Sequence, residues 1–242
     1  MESIEECVNI LHNAEYLIAL TGAGISQESN VPTFRGQDGL WRQYNAMELA
    51  TPNAFRQNPE IVWEWYAWRQ GLIANCEPNP AHLTLAKWEN EGILKVLITQ
   101  NVDGLHHRAG SKNPLLVHGN LWDLKCTHCG YRGSISTPVT RLPRCPECQA
   151  LLRPDVVWFG EGLPSKVLDQ VFVELERADA IMVIGTSAMV QPSASFPLVV
   201  QRHGGQIIEV NIEVTPLTAI ADIHLRGKAG ELLPQIDKQL RH

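Results

Sequence analysis

An apolar run and two closely spaced glycines stand together in Tyr16-Leu17-Ile18-Ala19-Leu20-Thr21-Gly22-Ala23-Gly24-Ile25-Ser26. The run is too short for a helix and ends at Thr21-Gly22, so it predicts a buried strand. Gly22 and Gly24 suit a turn from strand to helix whose backbone amides approach a pyrophosphate. The third glycine of the usual dinucleotide-binding pattern would stand at position 27, which is glutamine. An ordinary tight turn therefore remains open as an alternative, and a hydride-transferring dehydrogenase is disfavoured.

Similar short apolar runs recur along the chain and predict further buried strands at Leu94–Ile98, Ala180–Ile184, Ile207–Val210 and Ile223–Leu225. Helical patterns lie between several of these runs, notably Pro80–Glu91 and Pro164–Arg177. An alternation of strands and helices is typical of a parallel sheet that is covered on both faces. The predicted fold class is therefore α/β, with a Rossmann-like parallel sheet and helices on both of its faces.

Two segments interrupt this alternation and predict a second, smaller domain. Residues 36–79 are rich in tryptophan and tyrosine and predict a loop followed by a helix that begins near Asn58-Pro59. Residues 125–150 contain paired cysteines and few residues that could form an apolar core. We therefore predict a Rossmann-like domain from residues 1–35, 80–124 and 151–242. A helical insertion would occupy 36–79, and a zinc ribbon 125–150.

Two Cys-x-x-Cys pairs, separated by fifteen residues, are typical of a zinc site with four thiolate ligands: Cys126, Cys129, Cys145 and Cys148. An insertion of about 25 residues cannot bury enough apolar surface to fold alone, and a metal supplies the missing energy. Chance spacing or disulfides are the alternatives. Four thiolates leave no open coordination position, so one structural Zn²⁺ is predicted, without zinc-activated water. His128, between two of the cysteines, is interpreted as a solvated turn residue.

Composition excludes several classes of protein. The 242 residues are 44% apolar, which is ordinary for a globular protein, and the net charge of −6 disfavours general nucleic-acid or membrane binding. The first six residues have neither the basic start nor the apolar core of a signal peptide. No apolar stretch approaches the ~20 residues needed to cross a bilayer. We expect a cytoplasmic protein.

The glycine turn continues into longer motifs: Gly22-Ala23-Gly24-Ile25-Ser26, Val31-Pro32-Thr33-Phe34-Arg35-Gly36 and Gly39-Leu40-Trp41. Further along are Thr99-Gln100-Asn101-Val102-Asp103-Gly104-Leu105-His106, His118-Gly119 and Gly185-Thr186-Ser187. Together with the cysteine pairs, and in this order, the motifs resemble the sirtuin family from about residue 20 to residue 230. One departure is Asn30, where the family usually has glycine; asparagine also tolerates a positive φ. Residues 188–195 depart slightly.

The resemblance implies an NAD-dependent protein lysine deacylase. Such enzymes cleave NAD at the nicotinamide bond and transfer the acyl group of a modified lysine to ADP-ribose. The products are nicotinamide, O-acyl-ADP-ribose and free lysine. The reaction needs a base with a pKa near neutrality, and the family match assigns this role to His118. His106 and His107 are the rivals, and His106 is expected to support its loop.

The resemblance also implies which residues bind the NAD co-substrate. Asp103 would hold the nicotinamide carboxamide, Asn101 would position a water and the ribose, and Gln100 would contact the nicotinamide ribose. Phe34 and Arg35 would cover the phosphates and shield the reactive sugar. The remaining contacts implied for NAD are Gly22, Ala23, Gly24, Ser26, Trp41, Gly185, Thr186, Ser187, Asn211, Glu213 and Ala229.

For the acylated lysine of a protein substrate, the resemblance implies backbone pairing with Val157, Phe159 and Gly160. Tyr66 and Arg69 form a Tyr-x-x-Arg pair like that of sirtuins that prefer succinyl or malonyl lysine. Three residues apart on a helix, the two side chains share a face, and arginine suits two-pronged binding of a carboxylate. Ala50 matches a position where a small residue enlarges the acyl pocket. We therefore predict that the helical insertion contains this pocket, and that succinyl and malonyl groups are preferred to acetyl.

Several alternatives remain open. Arg69 could be a solvated arginine on the helix face. The enzyme could be mainly a deacetylase, or could transfer ADP-ribose to a protein side chain by the same NAD cleavage, although His118-Gly119 disfavours this as the main activity. A non-catalytic binding module would predict erosion of the Gln100–Asp103 or His118 motif, and neither is eroded.

Overall fold

The computed structural model describes residues 4–32 and 46–241 of the chain. Within them the strands are β1 (Leu17–Thr21), β2 (Leu94–Thr99), β3 (Leu115–Leu116), β4 (Gly119–Cys126), β5 (Arg132–Ser134), β6 (Leu152–Val156), β7 (Ala180–Ile184), β8 (Gln206–Asn211) and β9 (Ile223–Arg226). The α-helices are α1 (Ile4–Asn13), α2 (Ala46–Leu49), α3 (Pro52–Gln57), α4 (Pro59–Ala74), α5 (Pro80–Glu91), α6 (Leu105–Arg108), α7 (Ser165–Arg177), α8 (Phe196–Arg202) and α9 (Ala229–Gln239).

A six-stranded sheet organises the larger part of the fold, in the order β3-β2-β1-β7-β8-β9 and with every pairing parallel. The predicted strand at Ala180–Ile184 and the predicted helix at Pro80–Glu91 are confirmed at the same bounds. The other predicted strands differ from the observed ones by one residue at one end or at both ends. The sequence does not predict β3, because two residues are too few to give an apolar pattern. The Rossmann-like fold class is confirmed.

Both faces of this sheet are buried, which explains why β1 is apolar throughout instead of alternating. Leu17 and Ala19 point to one face, where they join a core made with α1, α5 and α9. Ile18 and Leu20 point to the other face, where α7 and α8 cover the sheet. Because successive side chains of a strand alternate between faces, a strand in the middle of such a sheet needs apolar residues at every position.

The smaller unit combines the helical insertion with the cysteine-containing segment. Its sheet is antiparallel, with the order β5-β4-β6, and it packs with α3 and α4 into one apolar core. Two side chains of α4 bind the backbone of this sheet directly. The Trp63 indole donates to the Leu152 carbonyl at 2.9 Å, and the Gln70 amide donates to the Leu121 carbonyl at 3.0 Å. Helices and ribbon therefore form one unit; the exact boundaries of the three predicted segments remain a prediction.

The four cysteines of the ribbon converge, and their sulfur atoms all lie within 4.8 Å of one another. The Cys126–Cys148 and Cys129–Cys145 sulfur pairs are each 3.5 Å apart. Four ligands at about 2.3 Å from a zinc ion would place their sulfurs at a comparable spacing. The Cys126 sulfur also accepts the backbone N–H groups of His128 and Cys129, as a thiolate would. This cluster can therefore hold a zinc ion, and the exposed His128 side chain takes no part in it.

In the part of the chain that the structure describes, no helix has both the length and the apolar character needed to cross a membrane.

Replacing the buried Cys145 by serine should destabilise the fold, because metal binding supplies folding energy to this unit. We expect lower soluble yield and a melting temperature reduced by at least about 5 °C, since 1 kcal/mol corresponds to roughly 2–4 °C in a chain of this size. Differential scanning calorimetry and measurement of bound zinc check this result.

Cys76, buried but outside the cluster, offers a matched control as Cys76→Ser. A chelator should lower the melting temperature of the wild type and of Cys76→Ser alike, with no further effect on Cys145→Ser. A Cys145→Ser protein that has lost zinc yet melts like the wild type would argue against a structural metal.

Candidate active site

The candidate site lies where the strand order of the large sheet reverses, between β1 and β7. Parallel sheets bind ligands in the crevice beyond the carboxyl ends of such strands. Here two turns pack backbone against backbone: the Gly24 N–H donates to the Gly185 carbonyl at 2.7 Å. A Cβ atom added to Gly24 would lie 2.7 Å from that same carbonyl oxygen. The predicted glycines are therefore required by the close approach of the two turns, which leaves backbone amides at the crevice.

The turn continues as a 3₁₀ helix from Ala23 to Ser29, which explains how the chain manages without a third glycine at Gln27. This helix ends at Asn30, whose φ is 62°. The prediction that asparagine replaces glycine at a left-handed position is confirmed.

The motif that follows β2 connects both glycine turns. Gln100 donates its side-chain amide to the Thr186 hydroxyl at 3.0 Å. The Asn101 side chain donates to the Gly22 carbonyl and to the Ser26 hydroxyl, each at 3.1 Å. The structure thus brings together three motifs that are distant in the sequence, and Gln100 and Thr186 alone are 86 residues apart.

Asp103 is buried at the inner end of this motif, with 5% of its surface exposed. Its carboxylate accepts the Ser26 hydroxyl at 2.8 Å and the Leu105 backbone N–H at 2.9 Å. Burial raises the pKa of the Asp103 carboxyl, although these hydrogen bonds and the charge of Arg69 act in the opposite direction. A carboxyl held in this way presents fixed polar atoms to a ligand in a dry environment.

His82 belongs to the same polar cluster, and the sequence analysis missed it. Its Nδ1 accepts the Asn79 backbone N–H at the start of α5, so Nε2 carries the proton and donates to Ser26 at 3.3 Å. Burial lowers the pKa of His82 to about 4, which keeps the ring neutral. The only local signal is an asparagine N-cap followed three residues later by histidine, a variant of the capping box.

His118 lies just before β4, at the mouth of the crevice. Its Nδ1 is 3.0 Å from the Gln100 carbonyl. Since a carbonyl oxygen only accepts, Nδ1 must carry the proton, and Nε2 is the basic nitrogen. Burial lowers the pKa of His118 below its ordinary value of 6.5, against the smaller opposing effect of that hydrogen bond. The ring is thus oriented and neutral near pH 7, as a general base requires.

The glycine after this histidine has a packing role. Gly119 has a φ of +80°, and a Cβ there would lie 2.0 Å from the Asp155 carbonyl oxygen on β6. The backbone of His118 itself accepts the Val157 N–H at 2.9 Å. The His-Gly pair is therefore explained by the close pairing of β4 with β6, which holds the base beside the segment predicted to bind peptide.

The two rival histidines lie elsewhere. His106 is 2% exposed, and its Nε2 is 2.9 Å from the Thr21 hydroxyl, between the ends of β1 and β2. Burial lowers its pKa well below 6.5. His107 is exposed on α6. These positions agree with a supporting role for His106.

The residues predicted at the adenosine end also converge. Asn211, at the end of β8, donates its amide to the Thr186 carbonyl at 2.8 Å, and its side-chain oxygen accepts the Glu213 N–H at 3.4 Å. Ser187 follows Thr186, and Ala229 opens α9. Thus the ends of β7 and β8 are joined at the same edge of the sheet. Phe34, Arg35 and Trp41 lie outside the described residues.

The predicted acyl-pocket residues meet in the small unit. Tyr66 and Arg69, on α4, are only 1% and 6% exposed, so the alternative of a solvated arginine on a helix face is wrong. The Ala50 carbonyl, also buried, accepts the Phe159 N–H at 2.9 Å. Phe159 and Gly160 are exposed, as a segment that contacts a peptide would be.

Comparison with known proteins agrees with this arrangement. The sequence model of the Sir2 family matches residues 22–192, and the chain belongs to that family. The NAD-dependent protein deacylase of Pyrococcus furiosus is 52% identical over 243 residues, which cover 98% of this chain and 97% of that protein. NAD-dependent protein deacylase 1 of Archaeoglobus fulgidus is 54% identical over 239 residues, covering 98% of both.

Among solved structures, the crystal structure of a Sir2 homolog–NAD complex is 53% identical, with a TM-score of 0.94; the match covers 98% of this chain and 93% of that one. The chain is an NAD-dependent protein deacylase, and NAD is its co-substrate.

His118→Ala should lower the turnover of acyl peptide by roughly 10²–10⁴-fold, the usual contribution of general acid–base catalysis. Nicotinamide exchange should suffer less, because cleavage of NAD precedes the step that a base at this position assists. Both rates can be measured on the same preparation. His203→Ala is a matched control, because His203 makes the same type of ring contact, to the Val199 carbonyl at 2.9 Å, on the exposed surface. Equal loss of exchange and deacylation would contradict the assigned role.

The pH profile should reflect the lowered pKa of His118. As pH falls through that pKa, Nε2 becomes protonated and the base is lost, so kcat/KM should decline on an acidic limb centred below pH 6.5. We choose kcat/KM because it reports groups of the free enzyme. An acidic limb centred above 6.5, or one retained in the residual activity of His118→Ala, would exclude His118 as its origin.

Proposed function

We propose that this deacylase removes succinyl and malonyl groups from protein lysine in preference to acetyl groups. The carrying observation is the burial of a charged guanidinium, that of Arg69, which lies 4.9 Å from the ring centre of Trp65 and 5.9 Å from that of Tyr66. A buried charge is costly unless an opposite charge accompanies it. Burial indeed lowers the pKa of Arg69, and the charge of Asp103 partly offsets this effect. An acyl chain that ends in a carboxylate would add a second anion.

We assign roles in NAD binding to the residues that converge between β1 and β7, where the strand order reverses. The phosphates lie along the two turns formed by Gly22, Ala23 and Gly24 and by Gly185 and Thr186. Asp103 holds the nicotinamide carboxamide, with Ser26 donating to its carboxylate. Asn101 positions a water and the nicotinamide ribose, and Gln100 contacts the same ribose. Departure of nicotinamide leaves a cationic sugar, which fixed dipoles in a buried site stabilise better than water does.

At the junction of the two units, the amide oxygen of the acyl-lysine attacks C1′ of the ribose as nicotinamide leaves, which gives an imidate. His118 Nε2 then takes the proton of a ribose hydroxyl that attacks the imidate carbon, and water releases free lysine, leaving the acyl group on ADP-ribose. Val157, bound to the His118 carbonyl, begins the segment that continues to the exposed Phe159 and Gly160. We propose that the substrate peptide lies along this segment through its backbone, so that the sequence around the lysine matters little. Acylated lysines of proteins are thus the proposed partners.

The acyl chain would then extend towards Ala50, whose side chain is small, and towards Tyr66 and Arg69. A carboxylate that leaves water must regain its hydrogen bonds, and arginine with a tyrosine hydroxyl can supply them. An acetyl group offers no such acceptor and leaves the pocket underfilled. The acetyl substrate should therefore be the poorer one.

Arg69→Met should weaken succinyl turnover and spare acetyl turnover. A charge-assisted hydrogen bond contributes about 1.5–3 kcal/mol, which corresponds to roughly 10–150-fold in kcat/KM, chiefly through KM. The measurement is kcat and KM for matched acetyl, malonyl and succinyl peptides on both proteins.

Arg56→Met is the matched control, because Arg56 is an exposed arginine on the neighbouring α3. It should leave the succinyl-to-acetyl ratio unchanged. A wild type that favours acetyl peptide would make the enzyme mainly a deacetylase, and a label transferred from NAD to protein in place of deacylation would make it an ADP-ribosyltransferase. Either result, or parallel loss of both activities in Arg69→Met, would refute the proposal.

A further inference from the structure

Tyr66 receives a hydrogen bond whose direction is fixed by chemistry. The indole nitrogen of Trp158 lies 2.7 Å from the Tyr66 hydroxyl oxygen, and both side chains are at least 98% buried, with 2% and 1% of their surfaces exposed. An indole nitrogen only donates, so the hydroxyl oxygen of Tyr66 is the acceptor. The single hydroxyl proton of Tyr66 must therefore point away from Trp158.

The environment of Tyr66 keeps that proton available for donation. Burial raises the pKa of Tyr66 to about 12, although the charge of Arg69 and the hydrogen bond from Trp158 act in the opposite direction. Arg69, one helical turn further along α4, offers only donors. The two side chains accordingly suit an oxygen-rich, acceptor-only group, which describes a carboxylate and not a methyl group.

Trp158 is itself held by an ion pair that contacts no part of the NAD crevice. Arg153 binds Glu161 through two hydrogen bonds of 2.6 and 2.9 Å, and its guanidinium lies 3.2 Å from the centre of the Trp158 ring. Glu161 also accepts the Trp158 backbone N–H at 2.9 Å. Phe55 packs on the indole, with ring centres 5.3 Å apart. Three contacts thus fix the orientation of the indole: the guanidinium on its ring face, the hydrogen bond of its backbone N–H, and the packing of Phe55.

We propose that Trp158, restrained by Arg153 and Glu161, is a positioning residue for acyl specificity: it orients the Tyr66 hydroxyl so that its proton is donated to an acyl carboxylate. The indole of Trp158 contacts the Tyr66 hydroxyl, and Trp158 acts through that group. The inference rests on the proposed function, because it needs Tyr66 to bind the acyl group.

The test is a double-mutant cycle of Trp158→Phe and Tyr66→Phe, assayed with matched succinyl and acetyl peptides. Trp158→Phe keeps an aromatic ring but removes the indole donor. It should raise KM for the succinyl peptide roughly three- to tenfold, as expected for one oriented hydrogen bond, with kcat and the acetyl KM within about twofold of wild type. In the Tyr66→Phe background, the same change should alter the succinyl KM by less than about twofold, since the acting hydroxyl is gone.

Trp88→Phe is the matched control. It also removes a buried indole donor, which binds Asp237 at 2.8 Å on the far side of the large sheet. It should leave the succinyl-to-acetyl ratio of the enzyme unchanged. If Trp158→Phe does not fold, Glu161→Gln provides the second variant. It weakens the ion pair and should shift the succinyl KM selectively in the same direction, by roughly two- to fivefold.

The outcomes separate this inference from the proposed function. A rise of KM for both peptides together, or an undiminished effect of Trp158→Phe in the Tyr66→Phe background, would show that Trp158 only stabilises the fold and would overturn the inference. If Arg69→Met and Tyr66→Phe change the acyl ratio while Trp158→Phe and Glu161→Gln do not, the inference fails and the proposed function stands. If Arg69→Met and Tyr66→Phe leave the ratio unchanged, the proposed function fails, and the inference fails with it.

Discussion

The whole catalytic edge depends on how closely two backbone turns approach each other. A Cβ atom on either Gly22 or Gly24 would come within 2.7 Å of the turn that follows β7. Because no side chain occupies this crossing, β1 and β7 can end side by side and leave peptide groups at the crevice. The polar motif after β2 then binds both turns, so that Asn101 and Asp103 take their positions from the same contact. Larger residues in place of Gly22 or Gly24 would therefore also displace Asn101 and Asp103.

Burial sets the charge state of the polar groups around this edge, and it acts differently on each type. It holds His82 and His118 in the neutral form, since an imidazolium would lose its hydration. It raises the pKa of Tyr66, whose hydroxyl keeps its proton, and it also raises the pKa of Asp103, whose carboxylate accepts two hydrogen bonds. A site built largely from neutral, oriented dipoles is suited to stabilising a charge that appears only during reaction. Arg69 and the Asp103 carboxylate are charged groups within the described part of the site, and Arg69 lies in the unit where a carboxylated acyl chain would bind.

Some of this could be predicted from the sequence, because the signals are local. Apolar runs such as Ala180–Ile184 report a strand covered on both faces, and the spacing of the cysteines reports a metal site. The roles of His82 and Trp158 could not be predicted in this way. Each arises from a contact between distant parts of the chain, Ser26 with His82 across 56 residues and Tyr66 with Trp158 across 92. The local sequence pattern indicates which face of a helix or strand is buried, but it does not indicate which polar atom a buried side chain contacts.

Strand β4 joins two features that differ in chemistry. It begins at Gly119, directly after His118, the proposed base, and ends at Cys126, a predicted zinc ligand. Strand β6 pairs with both ends of β4, Gly119 with Val156 and Cys126 with Leu152, on either side of a register shift between Asn120 and Leu124. The strand therefore connects the two sites. A zinc ion bound at one end would take no part in the reaction, but it would hold the strand whose other end follows His118. Loss of the metal would therefore make the position of His118 less well defined, even with every residue of the NAD crevice unchanged.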